Sequence, residues 1–153
     1  MITAVVSGSF KFKPEIDKVI KALEETGIKV TEPTKGWLIM PTIEITERLR
    51  FGQIRPLPTE ENLTSRQIEN RFLKALDRAN LMYLMNQEGY VGSSAALEIG
   101  FALGRHKPIY ALEALDYEAM EIDDFSLRET LDQTVTVLPP EKVAFHYAET
   151  SSE

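Results

Sequence analysis

The chain of 153 residues contains no cysteine. That excludes a disulfide scaffold, thiolate metal sites and a cysteine nucleophile, and it suits a reducing compartment. Histidine is scarce as well: His106 and His146 are the only two, so no His-rich metal centre is expected and neither a metal nor a cofactor is assigned. Long apolar runs are missing. The longest uncharged stretch, Met1–Phe10, has ten residues, against the roughly 20 needed to span a bilayer. It lacks a basic n-region, so it reads as a strand rather than a signal peptide. Positive charge is in the minority, with 17 Lys and Arg against 24 Asp and Glu and a net charge of −7. This balance argues against a nucleic-acid polymer or an anionic membrane as partner. What is present is 43% hydrophobic and 27% charged. At roughly 100–200 residues per domain, the expectation is one domain over residues 1–153, with a cytoplasmic location.

The run Ile2–Val6 is short, β-branched and stopped by Ser7-Gly8-Ser9, which predicts a buried strand. Pro14 suits the first turn of a helix, and Ile16, Val19, Ile20 and Leu23 recur at helical spacing until Gly27. Ile28–Val30 is a second strand, completing a strand–helix–strand unit. Residues 31–59 have another texture. Four of the eight prolines fall there (Pro33, Pro41, Pro56, Pro58), while Ile43, Ile45, Leu49 and Phe51 alternate with polar residues. An irregular excursion, with room for a hairpin, is expected. Thr59 then caps a helix carrying Ile68, Phe72, Leu73 and Leu76 to about Arg78. Leu81–Met85 is a third strand, Gly89–Gly92 turns the chain, and Ser93 or Ser94 caps a helix that ends at Gly104. Pro108–Leu112 is a fourth strand. Residues 113–124 hold six acids and no base, as a solvated loop or helix face would. Thr134–Leu138 is a fifth strand, and the tail from Ala148 is expected to fray. Near-continuous apolar strands alternating with helices imply an α/β fold whose mainly parallel sheet is covered on both faces.

Residues 89–104 carry a single charge, Glu98, on a helix that follows a buried strand through a Gly- and Ser-rich turn. In an open parallel sheet, ligands bind at the carboxyl ends of the strands, where this turn belongs. A carboxylate among apolar neighbours is costly unless it is used or paired. The residues alone leave two readings open: a working carboxylate, or one that faces solvent or pairs with a distant arginine. The helical pattern suggests that Leu97, Phe101, Gly100 and Gly104 press on the sheet, leaving Ala95, Glu98 and Ala102 toward the crevice. After the first strand, Gly8, Ser9, Lys11 and Lys13 precede a helix start and suit an anion such as a phosphate; a plain turn with solvated lysines fits equally. Neither a Walker loop nor a dinucleotide fingerprint is present. The arginines Arg48, Arg50, Arg55, Arg66 and Arg71 read as dispersed surface charge. Trp37, Phe51 and Tyr90 serve either packing or base stacking.

In combination, Ser7-Gly8-Ser9-Phe10, Ala79-Asn80, Gly89-Tyr90-Val91-Gly92, Leu97-Glu98-Ile99-Gly100-Phe101-Ala102 and Lys107-Pro108-Ile109-Tyr110 resemble the nucleoside 2-deoxyribosyltransferase family. Related members of that family hydrolyse the N-glycosidic bond of nucleoside 5′-monophosphates. The resemblance covers residues 1–31 and about 59–112. It implies a flavodoxin- or Rossmann-like three-layer sandwich with a five-stranded, mainly parallel sheet. It also implies a small-molecule nucleoside or nucleotide partner and a homo-oligomer, dimer or higher, with a neighbouring subunit contacting the site from near Asp132–Thr134. Glu98 is in register with the family's nucleophile, which attacks C1′ as the base leaves. The implied substrate-binding residues are Ser7, Gly8, Ser9, Phe10, Lys11, Asn86, Gly89, Tyr90, Gly92, Ser93 and Ser94.

Several positions depart from the family pattern. Where an aspartate on the helix before strand three assists the leaving base, this chain has Phe72, with Glu69 and Asn70 nearby. Six residues before the nucleophile stands Gly92, where transferases carry aspartate and the hydrolases serine. Phe10 replaces a tyrosine. Two other functions fit parts of the pattern: a nucleotide-sensing domain that keeps the pocket without the chemistry, and a phosphoribohydrolase acting on modified adenine nucleotides. The glycine motif of the latter matches residues 89–98 only with an offset.

Overall fold

The computed structural model describes residues 1–9, 12–33 and 65–151. Strand β1 (Thr3–Gly8) is followed by helix α1 (Lys13–Glu25) and strand β2 (Lys29–Glu32). Helix α2 (Ser65–Arg78) leads into β3 (Leu81–Met85), and α3 (Ser93–Gly104) into β4 (Ile109–Ala111). Helix α4 (Phe125–Thr134), β5 (Val135–Val137) and α5 (Val143–Ser151) complete the described chain. The excursion expected at 31–59 lies outside the described residues from position 34 onward, as do the Thr59 cap, Phe10 and Lys11.

The described strands form one five-stranded sheet in the order β2-β1-β3-β4-β5, every neighbouring pair parallel. This is the flavodoxin-like order of an α/β, Rossmann-like three-layer fold, and its strand sequence reverses between β1 and β3. Side-chain alternation divides the core into two layers. Ala4, Val6, Leu81, Tyr83, Met85 and Tyr110 face Ile16, Val19 and Leu23 of α1 and Val143 at the start of α5. Val5, Met82, Leu84, Ile109 and Ala111 face Leu76 of α2, Ile99 and Ala102 of α3 and Leu131 of α4. The buried phenols are tied at their polar ends. Tyr83 donates to the Leu138 carbonyl at 2.8 Å, and the Tyr110 hydroxyl lies 2.9 Å from His146 Nδ1.

Four local expectations are corrected. The packed face of α3 consists of Ala95, Glu98, Ile99 and Ala102, all buried, whereas Leu97 is 55% exposed and Gly100 and Gly104 face open space. These four follow i, i+3, i+4, i+7 spacing, so β-carbon direction, not glycine content, sets the contact face. The N-cap position of α3 is Gly92, one residue before the expected serine, with no side-chain cap. At the other end, His106 takes a left-handed conformation (φ 54) while Lys107 N–H reaches the Ala102 carbonyl at 2.9 Å and His106 N–H the Leu103 carbonyl at 3.1 Å. That is a Schellman closure with histidine where glycine is usual. Residues 125–134 form a helix that the apolar pattern does not announce, capped by Asp124 accepting from Leu127 N–H at 2.9 Å. The tail holds a helix to Ser151 rather than fraying from Ala148, because Val143 anchors its first turn in the core.

The orientation of α3 is directly testable by chemical denaturation. Ile99→Ala removes fully packed atoms and is expected to cost about 2–5 kcal/mol. Leu97→Ala, on the exposed side, is expected to cost no more than about 0.5 kcal/mol.

Candidate active site at the β1 and β3 strand ends

Sheet order fixes where a site can form. Between β1 and β3 the chain leaves in opposite directions, so the loops after these strands part and leave a crevice at their carboxyl ends. Ser7, near the end of β1, has the same parity as Val5 and so faces the α2–α3 layer. There its hydroxyl donates to Glu98 Oε1 at 2.7 Å, across 91 residues of sequence. Both side chains are buried, Ser7 at 2% and Glu98 at 5% exposure. Burial pushes the Glu98 carboxyl up to about 8; the Ser7 hydrogen bond opposes the shift, and the nearby Glu69 carboxyl adds to it. Glu98 is thus buried rather than solvated and has no arginine partner among the described residues, while Arg48, Arg50 and Arg55 lie outside those residues.

The other expected residues distribute around this pair in distinct ways. Gly8 is needed for packing: a β-carbon there would stand 3.0 Å from the Met85 carbonyl and 3.2 Å from Ile16 Cδ1. The Ser9 carbonyl accepts from Phe12 N–H at 2.9 Å, a tight turn that delivers the chain to α1. Lys13 is buried, and its ammonium contacts Asp17 Oδ2 at 2.6 Å, so its charge is already balanced within α1. Asn86, fully buried, donates to the Glu113 carbonyl at 2.7 Å and accepts from Glu113 N–H at 3.0 Å. It clamps the segments that leave β3 and β4. Gly89 has φ 76, and a β-carbon there would meet Asp116 Cβ at 2.9 Å, so only glycine fits against that second loop. Tyr90 meets Phe12 edge to face, with ring centroids 6.2 Å apart, joining the β1 and β3 loops. Gly92 precedes α3, where a β-carbon would stand 3.6 Å from Tyr90 Cε1, and Ser94 is exposed on the first turn. The Asp132–Thr134 region ends α4 at the start of β5, the opposite edge of the sheet, and the Asp132 carboxylate accepts from Tyr117.

Of the two substitutes named beside Phe72, Glu69 is the one that bears on Glu98. Its negative charge adds to the upward push on Glu98, and its own Oε1 is buried without a hydrogen-bond partner among the described residues. Its signal in the sequence is that Glu69, Phe72 and Leu76 fall on one stripe of α2, and Leu76 is completely buried. A carboxylate on the apolar stripe of an amphipathic helix is the same anomaly that singled out Glu98. Among the described residues no group of three His, Asp or Glu side chains is arranged to hold a metal, and no helix is long and apolar enough to cross a membrane.

No protein-family model matches the chain. No curated protein matches it in sequence. Among solved structures, it is similar to a conserved protein from Enterococcus faecalis V583, with TM-score 0.60, 11% identity and coverage of 99% of both chains. It also aligns with the Clostridium botulinum CMP N-glycosidase BcmB at TM-score 0.49 and 17% identity, over 97% of both chains. At such identities the first likeness establishes a shared fold.

The raised ionisation of Glu98 has a stability consequence with a definite sign. Between about 4.5 and about 8 the folded state holds a proton that the unfolded chain has released, so stability falls as pH rises through this window. Glu98→Gln keeps the shape and removes the ionisation. Its thermal stability is expected to exceed that of the unsubstituted chain at pH 8.5 by more than about 1.4 kcal/mol, the equivalent of one unit. Near pH 4 the two should match. Parallel melting curves across pH 4–9 would contradict this ionisation.

Proposed function

We propose that this chain cleaves or exchanges the N-glycosidic bond of a nucleoside or nucleoside 5′-monophosphate, with Glu98 as the nucleophile. The observation that carries the reading is the buried Glu98 carboxyl, held by Ser7 at the β1/β3 switch point. An oxocarbenium-like transition state needs an anion within bonding distance of C1′, and covalent capture divides one difficult displacement into two easier ones. Ser7 fixes the attacking group: with Oε1 engaged, Oε2 is left to meet the anomeric carbon. Burial also raises the value of the carboxylate, because its attraction for a developing positive charge is stronger away from water. The second acceptor, a base or a water, decides between transfer and hydrolysis. The work requires no cofactor.

A 5′-phosphate on the substrate belongs to the same proposal. The turn Gly8-Ser9 and the first N–H groups of α1, a helix of 13 residues, favour an anion at this end of the sheet. With Lys13 committed to Asp17, the candidate basic partner in this segment is Lys11. The second reading, a binding domain without catalysis, is favoured by one observation: a Glu98 that keeps its proton near neutrality is not a nucleophile by itself.

The direct test is base release from a panel of nucleosides and nucleoside monophosphates, followed by chromatography. Glu98→Gln is expected to lower turnover by at least about 10³-fold while ligand binding persists, in keeping with loss of an essential carboxylate. Release at the original rate, or none from any substrate with the unsubstituted chain, contradicts the enzymatic reading. By calorimetry, a monophosphate is expected to bind at least about tenfold tighter than its nucleoside, since each charge-assisted hydrogen bond contributes about 1.5–3 kcal/mol. Equal affinities would place the phosphate elsewhere.

A further inference from the structure

Glu69 has no role in the chemistry above, and its surroundings call for a donor. Helix α2 packs on β1 and on α3. It runs antiparallel to the strand it feeds, so its first turns lie over the carboxyl ends of the sheet. Glu69, Phe72 and Leu76 share one stripe of this helix, and Leu76 is packed in the same layer as Val5. From Leu76, Glu69 stands about 10.5 Å further along the helix axis. From Val5, Ser7 stands about 6.6 Å further along β1. The helix therefore delivers the Glu69 carboxyl to the level of the Ser7–Glu98 pair or just beyond it, on the same face of the sheet. Its charge acts there, adding to the upward push on Glu98. Its Oε1 is buried with no hydrogen-bond partner among the described residues. A buried acceptor without a donor is costly, and a ligand that brings the donor removes that cost.

Stereochemistry selects the donor. In a β-nucleoside the base projects from one face of the sugar, and a nucleophile that displaces it approaches C1′ from the other. Glu98, and a group on its flank, therefore meet the face opposite the base. Of the atoms bonded to C1′, the ring oxygen and the glycosidic nitrogen carry no proton to donate. The remaining heavy atom, C2′, bears a hydroxyl on the face opposite the base in a riboside. In an arabinoside that hydroxyl lies on the base's own face, and in a 2′-deoxyriboside it is absent. From this juxtaposition we propose that Glu69 is a specificity-determining residue whose Oε1 accepts a hydrogen bond from the substrate's 2′-hydroxyl, selecting ribonucleosides or ribonucleotides. The inference rests on the glycosidic reading of Glu98 and narrows its substrate class. Hydrogen bonds at this hydroxyl strengthen as positive charge develops at C1′, so the contact acts on turnover as well as on binding.

A series of sugars separates this role from a structural one. The chain and the variants Glu69→Ala and Glu69→Gln are assayed for base release from the riboside, 2′-deoxyriboside and arabinoside forms of the panel's best substrate. A 2′-deoxyribosidic bond breaks more readily in water than a ribosidic one. The quantity read is therefore the change that each substitution makes on each sugar. Glu69→Ala is expected to lower kcat/KM by about 10–10²-fold on the riboside and by less than about threefold on the other two, the loss of one charge-assisted hydrogen bond. Glu69→Gln keeps an acceptor oxygen, and its riboside rate should fall between those of Glu69→Ala and the unsubstituted chain. Equal losses on all three sugars in a folded Glu69→Ala, or no loss on the riboside, overturn the proposal while the glycosidic reading stands. Release from the 2′-deoxyriboside alone has the same meaning. If neither variant folds, calorimetry on Glu98→Gln decides. The riboside form must bind at least about tenfold tighter than the other two, and equal affinities overturn the proposal. Silence of the unsubstituted chain on all three sugars overturns the glycosidic reading and the role of Glu69 with it.

Discussion

The hydrogen bond from Ser7 to Glu98 is the interaction around which the site is organised. A lone carboxylate moved from water into an apolar interior costs several kcal/mol after relaxation (roughly). The chain answers with one hydroxyl and a protonation equilibrium displaced toward the neutral form. Such an arrangement is a poor way to stabilise a fold. A glutamine, or an alanine with its neighbours repacked, fills that position of α3 at less expense. What the arrangement achieves is a carboxyl whose orientation is set by the rigid end of β1 rather than by a loop.

That rigidity follows from the sheet. Alternation along β1 sends Val5 and Ser7 to the same face, so the last polar position of the strand emerges beside the helix that follows β3. The Gly8 backbone packs too closely on Met85 and Ile16 to admit a side chain, which draws the ends of β1 and β3 together. On the far side, Asn86 holds the backbone of Glu113, and Gly89 packs against Asp116. Residues that by type suggested ligand contact thus have a mechanical part: they fix the walls on either side of the carboxyl. Function and packing are not rival explanations here, since a site on a parallel sheet needs its loops pinned before its side chains can be aimed.

The strands and their order of appearance were legible because each is a short β-branched or fully apolar run bounded by turn residues. The position of Glu98 was legible for the same reason: a single charge in sixteen residues that belong to one turn and helix. The face of α3 was not. Its residues are apolar almost all round, so periodicity carries little information, and only three-dimensional contact shows that Ile99 and Ala102 are inside while Leu97 is outside. Helix α4 escaped because Phe125 and Leu127 are exposed, which leaves Leu131 as its core contact and no stripe to read. Histidine in the left-handed position after α3 defeats the glycine rule by tolerance rather than preference.

Glu69 and Asn70 were both legible as substitutes, and register alone did not choose between them. The resemblance directs attention to position 72, and the phenylalanine there reads as a loss of acid assistance. Positions 69 and 72 are three residues apart on one helix, hence on the same face and displaced by about 4.5 Å along the axis. A glutamate reaches one methylene further than an aspartate, which recovers part of that displacement. Phe72, partly buried against the α2–α3 layer, meanwhile fills apolar volume where a second carboxylate would have been stranded. Moving the acid by one turn therefore brings its charge near enough to Glu98 to add to the upward push that burial gives that carboxyl. In a chain that already carries a net charge of −7, a second acid beside a buried one makes negative charge on Glu98 costlier than burial alone does.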